Sequence, residues 1–195
     1  MNNISKSPNE KHPVYFNFSS DLLPGETISS IVLTCVNEAT GVTSATTIID
    51  SSSIASPNVK VVLKGGTEGQ SHAIQCVATT SLGNTYDLDL RLVVEIDVDD
   101  SFTKQPGDSF VFGVDFTNRL ADAETVATAA VSALKESDGS SVYGSVVLAP
   151  SVITPMVGVP VLAGVSGYTY LIAVRGITSL GYTYEKFIRM TVQEF

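Results

Sequence analysis

The sequence predicts an all-β protein made of two tandem antiparallel β-sandwiches, and three observations lead there. First, the phrase TSLGNTYDL at 80–88 returns as TSLGYTYEK at 178–186, 98 residues further on. Second, sliding the chain by that offset sets Phe18, Leu22, Glu26 and Thr27 on Phe116, Leu120, Glu124 and Thr125. It also sets Gly41, Pro57, Gly66 and Gly69 on Gly139, Pro155, Gly164 and Gly167, Ile74 on Ile172 and Arg91 on Arg189. No gap is needed from Phe18 to Ile96, and roughly twenty positions are identical, several times the chance level, so the chain is an internal duplication. Third, each copy is a series of short apolar or β-branched runs cut by turn residues, the pattern of a sandwich. The expected division is a flexible N-terminal arm over 1–10, a first sandwich over 11–97 and a second over 98–195. Each sandwich is long enough to bury a core of its own.

In the first copy the runs are Val14 to Phe18, Thr27 to Val36, Thr46 to Ile49, Val59 to Leu63, Ser71 to Thr79 and Thr85 to Ile96. Leu-Pro-Gly at 23–25, Thr-Gly at 40–41, Ser-Pro-Asn at 56–58, Gly-Gly at 65–66 and Leu-Gly-Asn at 82–84 separate them. Strand alternation in 71–79 puts His72, Ile74, Cys76 and Ala78 on the core face, and Tyr170, Ile172, Val174 and Gly176 on the same face of the second copy. The repeated Thr-Ser-Leu-Gly reads as a hairpin turn, with Gly83 and Gly181 at the tight position. Gly66, Gly69, Gly164 and Gly167 are the other structural turn glycines. Arg119 to Leu134, RLADAETVATAAVSAL, has helical propensity, but its first-copy partner DLLPGETISSIVLTCV does not. Two copies share one fold, so both segments are expected as strand.

Composition excludes several function classes. With 20 acidic and 11 basic residues and a net charge of −9, the chain lacks the clustered Lys and Arg that nucleic acid or an anionic membrane requires. The uncharged stretch from Gly139 to Val174 contains Pro150, Pro155 and Pro160, so it reads as buried strands and not as a spanning helix. The first residues, MNNISKSPNEKHP, have no apolar segment of a signal peptide. There is no Cys-x-x-Cys pair, P-loop, dinucleotide fingerprint or G-x-S-x-G elbow, which leaves an enzyme reading without support and no cofactor implied. Of the two histidines, His12 falls next to the arm and His72 on a core face where the second copy has Tyr170, so neither is expected to act in catalysis or bind metal.

Cys35 and Cys76 fall in the runs expected as the second and sixth main strands, the positions of the immunoglobulin disulfide. Their second-copy partners are Ala133 and Val174, which cannot crosslink, so two reduced core cysteines are the preferred reading. The run Glu95-Ile96-Asp97-Val98-Asp99-Asp100 offers Asp97, Asp99 and Asp100 as calcium candidates. Calcium takes six to eight oxygens from several segments, and one segment favours a charged linker instead.

Aligned, the two copies resemble a bacteriophage virion family, the fiber-tail adaptors, which are small immunoglobulin-like proteins. The second copy carries the pattern on Lys104, Pro106, Val114, Asp115, Phe116, Thr117, Leu120, Glu124, Thr125, Gly164, Gly167, Tyr168, Tyr170, Thr178, Ser179 and Gly181. The first copy carries a shortened form on Lys11, Pro13, Asn17, Phe18, Ser19, Leu22, Gly25, Glu26, Thr27, Gly65, Gly66, Thr67, Gly69, Thr80, Ser81 and Gly83. In this alignment Lys11 to Phe18 is shorter than Lys104 to Phe116, and Asn17 replaces an acidic residue.

The resemblance implies two tandem immunoglobulin-like domains in a non-catalytic virion protein, assembled in the host cytoplasm and placed at the neck or tail. Its implied partners are portal, head-tail connector, tail or fibre proteins, met in several copies around a symmetric ring. The alternatives are a capsid decoration protein and a glycan-binding or adhesive module. The latter is disfavoured because Tyr86, Tyr168, Tyr170 and Tyr184 are expected on strands and not at loop tips. Asn84 against Tyr182 and Leu88 against Lys186 are the differences between the copies expected to mark distinct partner contacts.

Overall fold

The computed structural model describes residues 2–195, which divide into two compact units between Ile96 and Asp97. In the first unit, β1 (Asn2–Lys6), β7 (Thr85–Val94), β6 (Ser71–Thr80) and β3 (Ile28–Asn37) form one sheet, and β2 (His12–Asn17), β5 (Asn58–Leu63) and β4 (Ile49–Ala55) form the other. The second unit repeats this, with β8 (Val98–Lys104), β14 (Thr183–Val192), β13 (Thr169–Thr178) and β10 (Val126–Lys135) in one sheet. Its other sheet holds β9 (Phe110–Asp115), β12 (Met156–Val161) and β11 (Ser151–Ile153). The third, sixth and seventh main strands share one sheet and the second, fifth and fourth the other, which is the immunoglobulin-like arrangement.

Alternation builds each core. Along β6, His72, Ile74, Cys76, Ala78 and Thr80 are all buried, and along β13 Tyr170, Ile172, Val174 and Thr178 are buried. Phe16, Phe18, Val59, Val61 and Leu63 face them across the first sandwich. The second sandwich buries the equivalent Val114, Phe116, Val157, Val159 and Val161.

Five expectations need correction. Of the arm expected over 1–10, residue 1 lies outside the described residues and the rest is not a flexible arm: Asn2–Lys6 pairs in parallel with β7, Lys6 opposite Val94, as Lys104 in β8 lies opposite Val192. The Lys-x-Pro motif of the first copy is therefore Lys6-Ser7-Pro8 at the full 98-residue offset from Lys104-Gln105-Pro106, and not Lys11 and Pro13. The reason is mechanical. Both lysines are 2% exposed, their stems lie in the sandwich, and each ammonium reaches backbone oxygen: Lys6 Nζ donates to Ser7 O at 2.6 Å and Lys104 Nζ to Gln105 O at 2.7 Å. A following acid closes the turn, with Ser7 N–H donating to Glu10 and Gln105 N–H to Asp108.

Thr46 to Ile49, expected as strand, is the short helix α1 (Ala45–Ile48) that seats Ile48 in the core; the strand is the serine-rich β4 after it. Cys35 lies on the third main strand, not the second. It sits in the same sheet as Cys76, opposite Ile74, so the inter-sheet disulfide geometry does not exist here and both thiols are free. Tyr168 precedes β13 and is 38% exposed, whereas Tyr86, Tyr170 and Tyr184 are on strands.

The strand expected within Arg119 to Leu134 is present as β10, preceded by a 3-10 turn at Thr117–Arg119. Pairing of Val126–Lys135 with β13 satisfies the backbone groups along one side of the strand and overrides the alanine-rich propensity. The turn before β10 holds Ala123 at φ +62°, where the first copy has Gly25 at +81°. Ala123→Gly is expected to stabilise the second unit by about 0.5–1 kcal/mol, because glycine occupies this region without strain from a Cβ. Urea unfolding checks it, and a lower midpoint counts against the strain.

Candidate functional site

In each unit three turns meet at one end of the sandwich: 18–27 with 56–57 and 80–84, and 116–125 with 154–155 and 178–182. The Thr-Ser-Leu-Gly phrase organises this end. Gly83 N–H donates to Thr80 O and Gly181 N–H to Thr178 O, both at 3.0 Å, closing the hairpin. Ser81 N–H donates to Thr27 O, and Ser81 Oγ takes the N–H of Thr27; Ser179 does the same for Thr125. Ser56 Oγ receives Ile28 N–H and Thr154 Oγ1 receives Val126 N–H, in front of the cis prolines Pro57 and Pro155.

At the centre of each end is a buried carboxylate. Glu26 is 6% and Glu124 is 7% exposed. Glu26 Oε2 accepts Leu23 N–H and Glu124 Oε2 accepts Ala121 N–H, each at 2.9 Å. The copies diverge at the other oxygen. Glu26 Oε1 accepts from the Thr80 hydroxyl and from Asn84 Nδ2 at 2.9 Å. The Thr80 hydroxyl, then Leu23 N–H and Asn84, hold its carboxyl below the usual range. Glu124 Oε1 is buried with no hydrogen-bond partner. Glu124 also lines a surface cavity of about 420 Å³, together with Thr117, Asp122, Thr125, Thr154, Pro155 and neighbouring turn residues.

The expected partner-contact residues are not a continuous exposed set. Asn84 is exposed and its amide is spent on Glu26, Leu88 packs against the core, and Tyr182 is 8% exposed. Lys186 is half-buried with Nζ 3.8 Å from Asp99. Among the turn glycines, Gly69, Gly83, Gly167 and Gly181 have left-handed φ with open space around them, while Gly66 and Gly164 press against Val94 and Val192. Of the calcium candidates, Asp97 is exposed, Asp99 accepts Phe187 N–H, and Asp100 accepts Ser101 N–H. Among the described residues no three His, Cys, Asp or Glu side chains are placed to hold a metal ion.

One polar chain crosses the first core: Ser44 Oγ is 2.8 Å from His72 Nδ1 and 3.2 Å from Cys35 Sγ. Burial pushes both thiols up, Cys76 to about 11, and pushes His72 down, so neither a thiolate nor an imidazolium is favoured. Both cysteines are expected to react with a thiol reagent only after denaturation, releasing two equivalents. Labelling of the folded chain at a free-thiol rate would contradict this burial.

A family model described as podophage GP4 fiber-tail adaptor protein gp77 matches residues 6–93 and again 104–191. The chain belongs to this family. Both matches of the adaptor family begin on a buried lysine, Lys6 or Lys104, which is the offset of the duplication. Among solved structures, the titin domains z1z2 in complex with telethonin are similar at 14% identity and a TM-score of 0.32, over 98% of this chain and 91% of that one. The N-terminal Ig1-2 module of the Drosophila receptor protein tyrosine phosphatase DLAR is similar at 11% and 0.33, over 99% and 95%. A search of curated proteins finds no match.

The glutamates were within reach of sequence reasoning but were missed as site residues. The signal was an acid kept at the same offset in both copies, with the residue that partners it in one copy changed to tyrosine in the other.

Proposed function

We propose that the chain is a non-catalytic structural component of a bacteriophage particle, an adaptor or collar protein at the neck or tail that joins portal or tail proteins to fibres. The observation that carries this reading is the adaptor-family match to both copies. The architecture supports it: two sandwiches offer turn-bearing ends and sheet edges to neighbours. Several copies around a symmetric ring suit a part that must join a tail axis to peripheral fibres.

Quantitative mass spectrometry of purified particles tests the role. A fixed stoichiometry that survives stringent purification is expected, and absence of the chain from such particles overturns it. Reconstruction of the particle tests the position: density at the neck or tail is expected, and density on the capsid surface replaces the adaptor with a decoration protein.

A further inference from the structure

We propose that the cavity beside Glu124 binds a basic side chain, an arginine guanidinium or a lysine ammonium, presented by a partner protein. The first copy supplies the comparison. There the buried Glu26 has both oxygens satisfied, Oε2 by Leu23 N–H and Oε1 by Thr80 and Asn84. In the second copy Tyr182 stands where Asn84 would be, and Glu124 Oε1 receives no donor. Thr178 Oγ1 accepts Tyr182 N–H at 3.2 Å, as Thr80 Oγ1 accepts Asn84 N–H, yet makes no bond to the glutamate. A buried carboxylate oxygen left without a donor is rare in native structures, and the strongest donors for it are cationic.

The cavity has the chemistry for such a donor. Leu120, Ala121, Ala123 and Pro155 give an apolar wall for an alkyl stem, and Thr117, Thr125 and Thr154 add hydroxyls. Asp122, at the position of Pro24 in the first copy, adds a second acid that draws a cation inward. Arg119 is exposed in the same turn and does not line the cavity, so the site is not filled from within its own loop. The left-handed φ of Ala123 holds the residue before Glu124 in a conformation that alanine rarely adopts.

On the adaptor reading the partner is another particle protein; the site itself does not depend on that reading. The experiment titrates the full-length, isotope-labelled chain with n-butylguanidinium and n-butylammonium, with n-butanol as neutral control, and follows backbone amide resonances. Saturable shifts are expected at Ala121, Glu124 and Thr125 with the cations, and not at Leu23, Glu26 and Thr27. Tyr182→Asn, which restores the donor of the first copy, and Glu124→Gln should each weaken binding about tenfold or more. Absence of shifts in the parent chain, equal shifts at both turns, or an equal response to butanol overturns the proposal. So does unchanged binding in a folded variant of either kind. A negative titration leaves the adaptor reading standing, and absence from particles leaves this site's chemistry standing.

Discussion

Replacing Phe18 with alanine is expected to destabilise the first unit by about 3–5 kcal/mol, and Phe116→Ala to do the same to the second. Both rings are fully buried, and each follows the last residue of its strand, where the chain leaves β2 or β9 for the turn that carries the glutamate. Phe18 N–H donates to Pro57 O and Phe116 N–H to Pro155 O, so the ring sits on backbone that cannot easily collapse into the space left behind. In the second unit the ring edge lies 3.5 Å from where a Cβ on Gly176 would be, and in the first the equivalent residue is the buried Ala78. A domain of this size has only about 5–15 kcal/mol in total, so the loss is a large share. Hydrogen exchange separates the units: Phe18→Ala should speed exchange in β2, β5 and β6, and Phe116→Ala in β9, β12 and β13. A loss below about 1.5 kcal/mol in either variant would mean that the ring is not held as the packing indicates.

The fold was legible wherever two signals agreed. In 71–79 the strict alternation and the offset partner both put His72, Ile74, Cys76 and Ala78 inward, and all four are buried. In Arg119 to Leu134 propensity and repeat disagreed, and the repeat was the better guide because backbone pairing is a tertiary property that the copies share. β4 was missed since IDSSSIA is exposed almost throughout and carries no alternation to read. β1 was missed for a different reason: a short polar segment becomes a strand only because the last strand offers it an edge. The site was half legible. The offset set Glu26 on Glu124, but whether a carboxylate is satisfied depends on where Asn84 or Tyr182 places its atoms.

Gly66→Ala should cost the first unit about 2–5 kcal/mol, and Gly164→Ala, its counterpart, only about 1–3. Both glycines sit in the segment that receives the Lys-x-Pro turn: Lys6 Nζ donates to Gly65 O, and Gly164 N–H donates to Pro106 O at 3.0 Å. An added Cβ would meet Val94 Cγ2 at 2.7 Å in the first copy and Val192 Cγ2 at 2.8 Å in the second, so overpacking is common to both. Only Gly66 has a left-handed backbone, at φ +98°, and there the alanine carries torsional strain as well; a Cβ would also approach Ile48 Cδ1 at 3.3 Å. The same letter is therefore kept for close approach in one copy and for close approach plus conformation in the other. Urea unfolding of the two variants decides the matter. A larger loss for Gly164→Ala would show that overpacking against the valine dominates and that the backbone of the first copy relaxes to accept a side chain.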